Sequence, residues 1–393
     1  MTGGSPVTAP AATPSRALRD AILPTYARPD FTVVEGDACR VLDDTGRWYL
    51  DFVAGIAVVG LGHRNPTVTA AAHAQLDRLW HASNLYWTEP MLRLAGLLSE
   101  RFGGAQAFFC NSGAEANEAA IKVARKATGR ARVVALEGGF HGRTFGALSA
   151  TGQPAKWEGF GPLVPGFAFA RPNDVESLEA AVAPGGELAA IMLEPVLGEG
   201  GIVPLDSAFL SAAAEIAREV GALLVVDEVQ TGLGRTGTFF AFEQLGLEPD
   251  LVTLAKGLGN GLPIGALLVR DGVADAIGPG DHGSTFGGNP VACAAACAVV
   301  DAIDDSLLEN VVARGEQLAA GLAALPGVTE VRGRGLLLAA VLDRSAGDVV
   351  DAARELGLLA LTAGPDVLRL LPPLPVTEGE VDEALGLLAR ALA

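Results

Sequence analysis

Between about residues 105 and 270 the chain repeats one pattern: a short, almost wholly apolar run, then a polar or glycine-bearing junction, then in several cases a helical stretch. The runs are QAFFC, RVVAL, LAAIML, ALLVV, DLVTLA and IGALLV. A strand apolar at every position is covered on both faces, as in a mostly parallel sheet. AEANEAAIKVARKATG and SAFLSAAAEIAREVG lie between such runs and predict helices, so the order of elements predicts an α/β fold. Towards the end, VRGRGLLLAAVL, VVDAARELGLLAL, DVLRLLPPL and EGEVDEALGLLARALA mix strand and helix signals, as a smaller α+β unit would. There is no repeat of fixed period and no heptad run.

Ligands of open α/β sheets bind at the carboxyl ends of the strands. The residues following the apolar runs are therefore the candidate site: Asn111-Ser112-Gly113-Ala114, Gly139-Phe140-His141, Glu194-Pro195, Asp227-Glu228 and Lys256-Gly257. In CNSGAEANEAAIKVAR, Ser112 and Glu115 have capping-box spacing at a helix start. Free N–H groups at Ser112 to Ala114 could hold a phosphate, although most capping boxes only cap a helix. Asp227 and Lys256 follow successive apparent strands with a helix-length segment between them, so a crossover would bring their strand ends together.

Lysine is scarce: Lys122, Lys126, Lys156 and Lys256 stand among a total of 28 Lys and Arg. Arginine stays protonated, whereas a lysine whose pKa falls on burial can act as an amine nucleophile. An amine facing an aldehyde, a carboxylate facing a pyridine nitrogen and a phosphate cup together are what pyridoxal phosphate requires.

Half of the 393 residues are hydrophobic, enough for a substantial core and about two domains. A formal net charge of -18 argues against nucleic acid or an anionic membrane as partner. Cys39, Cys110, Cys293 and Cys297 are scattered with no histidine at ligand spacing, which suggests neither a metal site nor a disulfide framework. MTGGSPVTAPAATPSRALRD lacks the apolar stretch of a signal peptide, and no downstream run is long enough to span a bilayer, as expected of a cytoplasmic protein with a disordered leader. Gly232 to Gly237 spells GxGxxG, the mark of a dinucleotide site, but five residues separate it from the strand and no clean helix opens after it. Those glycines are better read as a loop passing close to a bound ring.

Taken together, LEPVLGEGG, LLVVDEVQTGLGRTG, TLAKGLGNGLPIGA and HGSTFGGNPVACAAA resemble the class III, or ω-amino-acid, aminotransferases, fold-type I pyridoxal-phosphate enzymes. The likeness runs from about residue 24 onward. It implies a leader at 1–14, a large cofactor-binding domain at 63–298, and a small domain formed by 15–62 and 299–393. It further implies that Lys256 bonds the cofactor and that Asp227, with Glu228 beside it, serves the pyridinium nitrogen. Val229 and Phe140 would cover the ring faces and Gln230 would meet the ring hydroxyl. The phosphate would lie on Ser112, Gly113 and Ala114, with Thr285 reaching it across a homodimer. Arg143 and Ser284 would bind one substrate carboxylate, and Arg369, covered by Glu194, the other. LDFVAGIAVVGLGHRNP, HASNLYWTEP, FFCNSGAEANEAAIKVAR and GGFHGRTFGALSATGQ are most similar to members acting on N2-acetylornithine with 2-oxoglutarate and glutamate as the second pair. Leu197 stands where the family usually has glutamine.

Overall fold

A computed structural model describes residues 19–183 and 187–393; the expected leader at 1–14 lies outside them. The apolar runs form a seven-stranded sheet in the order Ala105–Cys110, Gly265–Arg270, Leu251–Leu254, Leu223–Asp227, Leu188–Leu193, Arg132–Leu136, Phe167–Ala170. Only Gly265–Arg270 runs against its neighbours, and the other pairings are parallel. Leu188–Leu193 is buried at all six positions, as a central strand covered on both faces must be.

Helix Gly113–Thr128 turns Ala116, Ala119, Ala120, Val123 and Ala124 inward against this sheet. It starts at Ser112, whose hydroxyl accepts the Glu115 N–H at 3.2 Å, and stops at Gly129 in the left-handed region, φ 67°. The Glu115 carboxylate reaches back to the Asn111 N–H rather than to that of Ser112, so the expected reciprocal box is only half formed.

Strands Val33–Asp37, Arg40–Asp43 and Trp48–Asp51 make a second sheet that is completed by Leu358–Leu359 from far along the chain. A third sheet combines Val328–Arg334, Leu337–Leu342, Leu361–Thr362 and Val367–Leu370. Cys39, Leu50 and Phe52 share one apolar core with Val311, Leu338, Leu368 and Leu388. The two ends of the sequence thus build one smaller body beside the large sheet.

The link from Leu223–Asp227 to Leu251–Leu254 corrects one expectation. It contains no α-helix, only the loop 228–240 and a 3-10 turn at Ala241–Leu245. The strands are nevertheless adjacent and parallel, with Asp227 paired to Thr253. The glycine-rich part of this loop packs against the smaller body: Arg235 Nη1 donates to the carbonyls of Leu336 and Pro372, and Leu336 N–H donates to Arg235 O. A side chain on Gly234 would crowd Leu374 and Leu308. GxGxxG here joins two bodies and opens no nucleotide-binding helix.

Candidate active site

The carboxyl ends of the central strands surround a cavity of about 400 Å3, within the size range of small-molecule sites. Asp227 forms its floor. Its Oδ1 accepts the Val229 N–H at 3.0 Å, while Oδ2 accepts from Asn117 Nδ2 at 2.7 Å and lies 2.7 Å from His141 Nδ1. Asn117 is fixed in turn by Thr253, whose hydroxyl donates to Asn117 Oδ1 at 2.8 Å. Burial lowers the pKa of His141, but the hydrogen bond and charge of Asp227 outweigh it, and the imidazole is raised above its ordinary value.

Lys256 follows its strand at φ 42°, a left-handed conformation unusual for a residue with a side chain. Burial pulls its ammonium below the usual lysine range, with Glu199 opposing and Arg369 reinforcing the shift. Val229 and Phe140 line the same cavity as Lys256 and Asp227 and give it apolar surface. A Cβ at Gly113 would lie 2.8 Å from a Val229 methyl, so only glycine lets the helix start come this close. The first turn of a 16-residue helix, at Gly113 and Ala114, therefore opens into the cavity. Gln230 also lines it, with its buried Oε1 unpartnered. A flat aromatic aldehyde with a basic ring nitrogen and an anionic tail matches this set of groups.

Of the residues expected from the sequence, Lys256, Asp227, Ser112, Gly113, Ala114, Phe140, Val229, Gln230, Arg143 and Glu194 line the cavity. Four do not. Glu228 points away from it: its Oε1 accepts the Phe242 N–H at 2.9 Å and its Oε2 the Thr231 hydroxyl at 2.6 Å, and burial pushes its pKa up to about 7. Its job is to hold the 228–242 loop. Ser284 accepts from Asn111 Nδ2 and from the Gly287 N–H, and Thr285 is exposed. Arg369 is buried on Val367–Leu370, outside the cavity lining but near enough for its charge to act on Lys256.

Arg369 is indeed covered by a carboxylate, but by Glu199 rather than Glu194. Its Nη1 donates to Glu199 Oε1 at 2.7 Å and to Gly198 O at 2.8 Å. Glu194 instead accepts the N–H groups of Phe140 at 2.8 Å and Gly198 at 3.1 Å. Burial pushes it up to about 7, against the His141 charge and with that of Asp227. Leu197 is buried in the main apolar core, and Glu194 takes its hydrogen bonds from backbone.

Asn117 and Glu199 complete the site without having been singled out in the sequence, and His141, a rim residue given no role there, joins them as a partner of Asp227. Asn117 had a legible signal: an amide at helical spacing among the small apolar residues of one buried face. Glu199 is the second acid of EPVLGEGG.

The model of one family, aminotransferase class-III, matches residues 24–392. The acetylornithine aminotransferase of Listeria monocytogenes serovar 1/2a is 47% identical over 94% of this chain and 97% of its own. That of Bacillus subtilis is 46% identical with the same coverage. The crystal structure of N-acetylornithine aminotransferase from Stenotrophomonas maltophilia matches at TM-score 0.81 and 41% identity, covering 93% of this chain and 96% of the other. The ornithine aminotransferase of Toxoplasma gondii matches at TM-score 0.91 and 34% identity, covering 96% and 92%.

Proposed function

The chain belongs to the class-III aminotransferases, enzymes that work with pyridoxal phosphate, and from that premise we propose that it transfers an amino group between N2-acetylornithine and 2-oxoglutarate. The products are N-acetylglutamate 5-semialdehyde and glutamate, a cytoplasmic step toward arginine. The observation carrying this reading is the placement of Asp227 and Lys256 at adjacent parallel strand ends, lining one cavity. The near full-length similarity to acetylornithine aminotransferases supports the substrate.

The cofactor fits the residues present: a buried carboxylate for its ring nitrogen, an unpartnered amide oxygen at Gln230 for its hydroxyl, and a helix start cleared by Gly113 for its phosphate. When bound it supplies an aldehyde for the amine and a ring that draws electrons from the carbon being deprotonated. Asp227, fixed by Asn117 and His141, would keep the ring nitrogen protonated, and Val229 and Phe140 would offer the ring apolar surface. Lys256 would hold the cofactor through its aldehyde, and its lowered pKa favours a free amine able to take up and release a proton at Nζ. Arg143 takes the carboxylate of acetylornithine, remote from the reacting δ-nitrogen, with Ser284 near it. Arg369 takes the α-carboxylate of glutamate, which requires Glu199 to leave it.

The same reading makes the enzyme a homodimer in which Thr285 of the partner subunit reaches the phosphate. Exposed Trp80, Leu85, Tyr86, Trp87 and Phe286 offer the apolar surface such an interface needs.

The test is turnover by purified protein supplied with pyridoxal phosphate, with 2-oxoglutarate as acceptor. N2-acetylornithine should give the highest kcat/KM among acetylornithine, ornithine, succinylornithine, 4-aminobutyrate and N-succinyl-diaminopimelate. A higher value for any of the others replaces the substrate. A cofactor absorption band that glutamate does not shift would make the protein a carrier, and no band together with tight NADH binding would make it a dehydrogenase.

A further inference from the structure

The loop that carries Thr285 is tied to the helix whose start opens into the cavity of the same subunit. Lys122 Nζ donates to Asp281 O at 3.3 Å and lies 2.8 Å from His282 Nδ1, Lys126 pairs with Asp281, and the His282 ring packs on Phe108 with centroids 4.8 Å apart. Lys122 and Lys126 stand on helix Gly113–Thr128, and Phe108 on the strand Ala105–Cys110 that leads into it. Further along, Gly287 approaches that strand so closely that a Cβ there would meet Phe109 O at 2.1 Å.

Between these anchors Asn111 reaches from the cavity rim to the loop. It lines the cavity, and its Nδ2 donates to Glu115 Oε2 at 2.9 Å and to Ser284 Oγ at 3.2 Å. Ser284 Oγ also accepts the Gly287 N–H at 3.0 Å, and Asn84 Nδ2 donates to Ser284 O at 2.8 Å. The side chain and the carbonyl of Ser284 are both fixed. Because the peptide group is planar, a fixed carbonyl also sets the direction of the N–H of Thr285, the exposed residue that follows.

Resting on the proposed dimer, in which Thr285 serves the partner's phosphate, we infer that Asn111 is a positioning residue that acts in trans: through Ser284 it holds Thr285 for the cofactor phosphate of the neighbouring subunit rather than for that of its own. Glu115 fixes the Asn111 amide for this task. The helix start that faces one phosphate and the loop lent to the other then form one hydrogen-bonded unit.

Only a site with Lys256 gives the absorption band of cofactor bound through its aldehyde, so the band reports pyridoxal-phosphate affinity at Lys256-bearing sites alone. Asn111→Ala keeps the Glu115 carboxylate on the residue-111 N–H. It should raise the Kd of the homodimer for pyridoxal phosphate about fivefold, the size of one neutral hydrogen bond. After exchange with an excess of Lys256→Ala protein, its sites take Thr285 from subunits with Asn111 intact, and the Kd should return to within about twofold of wild type. Wild-type subunits exchanged with an excess of the Asn111→Ala/Lys256→Ala double variant should instead acquire the raised Kd. Ser284→Ala, which cuts the chain at its other end, should repeat the pattern. A Kd that follows the Asn111 of the site's own subunit overturns the inference, as does an Asn111→Ala homodimer that binds the cofactor as tightly as wild type. Thr285→Ala protein with wild-type cofactor affinity refutes the shared site itself, and the inference with it.

Discussion

At position 256 the left-handed backbone, of the kind that costs of order 1 kcal/mol or more, aims an amine into the cavity. On the proposed reading the amine cannot be replaced by another cation. Lys256→Ala and Lys256→Arg should both still bind pyridoxal phosphate through Asp227 and the helix start, yet borohydride should no longer fix it to the polypeptide. Labelling at Lys122, Lys126 or Lys156 would overturn the assignment. In the proposed transfer the two arginines divide the work by position. Arg143→Ala should slow the acetylornithine half-reaction by about tenfold or more and the glutamate half-reaction much less, and Arg369→Ala should do the reverse. Single-turnover spectra with each substrate decide this. Equal losses in both half-reactions for both variants would mean the two sites are not separate.

The strand Leu223–Asp227 and the loop after it show how an element sorts neighbouring side chains. Consecutive residues at a strand end point to opposite sides. Asp227 faces the cavity and Glu228 turns into the loop, where it is buried against Phe242 and Thr231. A carboxyl whose folded pKa is raised to about 7 from 4.5 binds a proton more tightly when folded. Its protonated form favours folding at low pH, and stability falls as pH rises through about 4.5 to 7. Glu228→Gln stays neutral throughout. It should flatten that part of the stability profile and stabilise the protein at pH 8 by up to about 3 kcal/mol. Thermal denaturation of both proteins between pH 5 and 8 measures this, and parallel profiles would contradict it.

For the whole molecule, the exposed aromatic surface and the distance of Thr285 from its own cavity bear on assembly. In the proposed dimer each site takes Lys256 from one subunit and Thr285 from the other. Lys256→Ala protein and Thr285→Asp protein, each inactive, should regain about a quarter of wild-type activity on mixing with free exchange, since half the dimers are hybrids with one sound site. A mixture that stays inactive after proven exchange excludes the shared site. Among the described residues no helix is long and apolar enough to cross a membrane.

The apolar runs, the cap at Ser112 and the lysine at a strand end were legible because each is a local event, set by side-chain periodicity and by the few residues that suit a turn or a helix start. From them the sequence determined the parallel sheet, the cavity at its rim and the opposition of Asp227 to Lys256. Partners brought together from distant segments were a matter for the tertiary structure. Asn117 and His141 meet Asp227 only because helix Gly113–Thr128 and the loop after Arg132–Leu136 converge on one strand end. EPVLGEGG spells two acids of equal promise. The hairpin of Val196–Leu197 with Val203–Pro204, and the sheet carrying Arg369 beside it, decide that Glu199 rather than Glu194 meets the guanidinium.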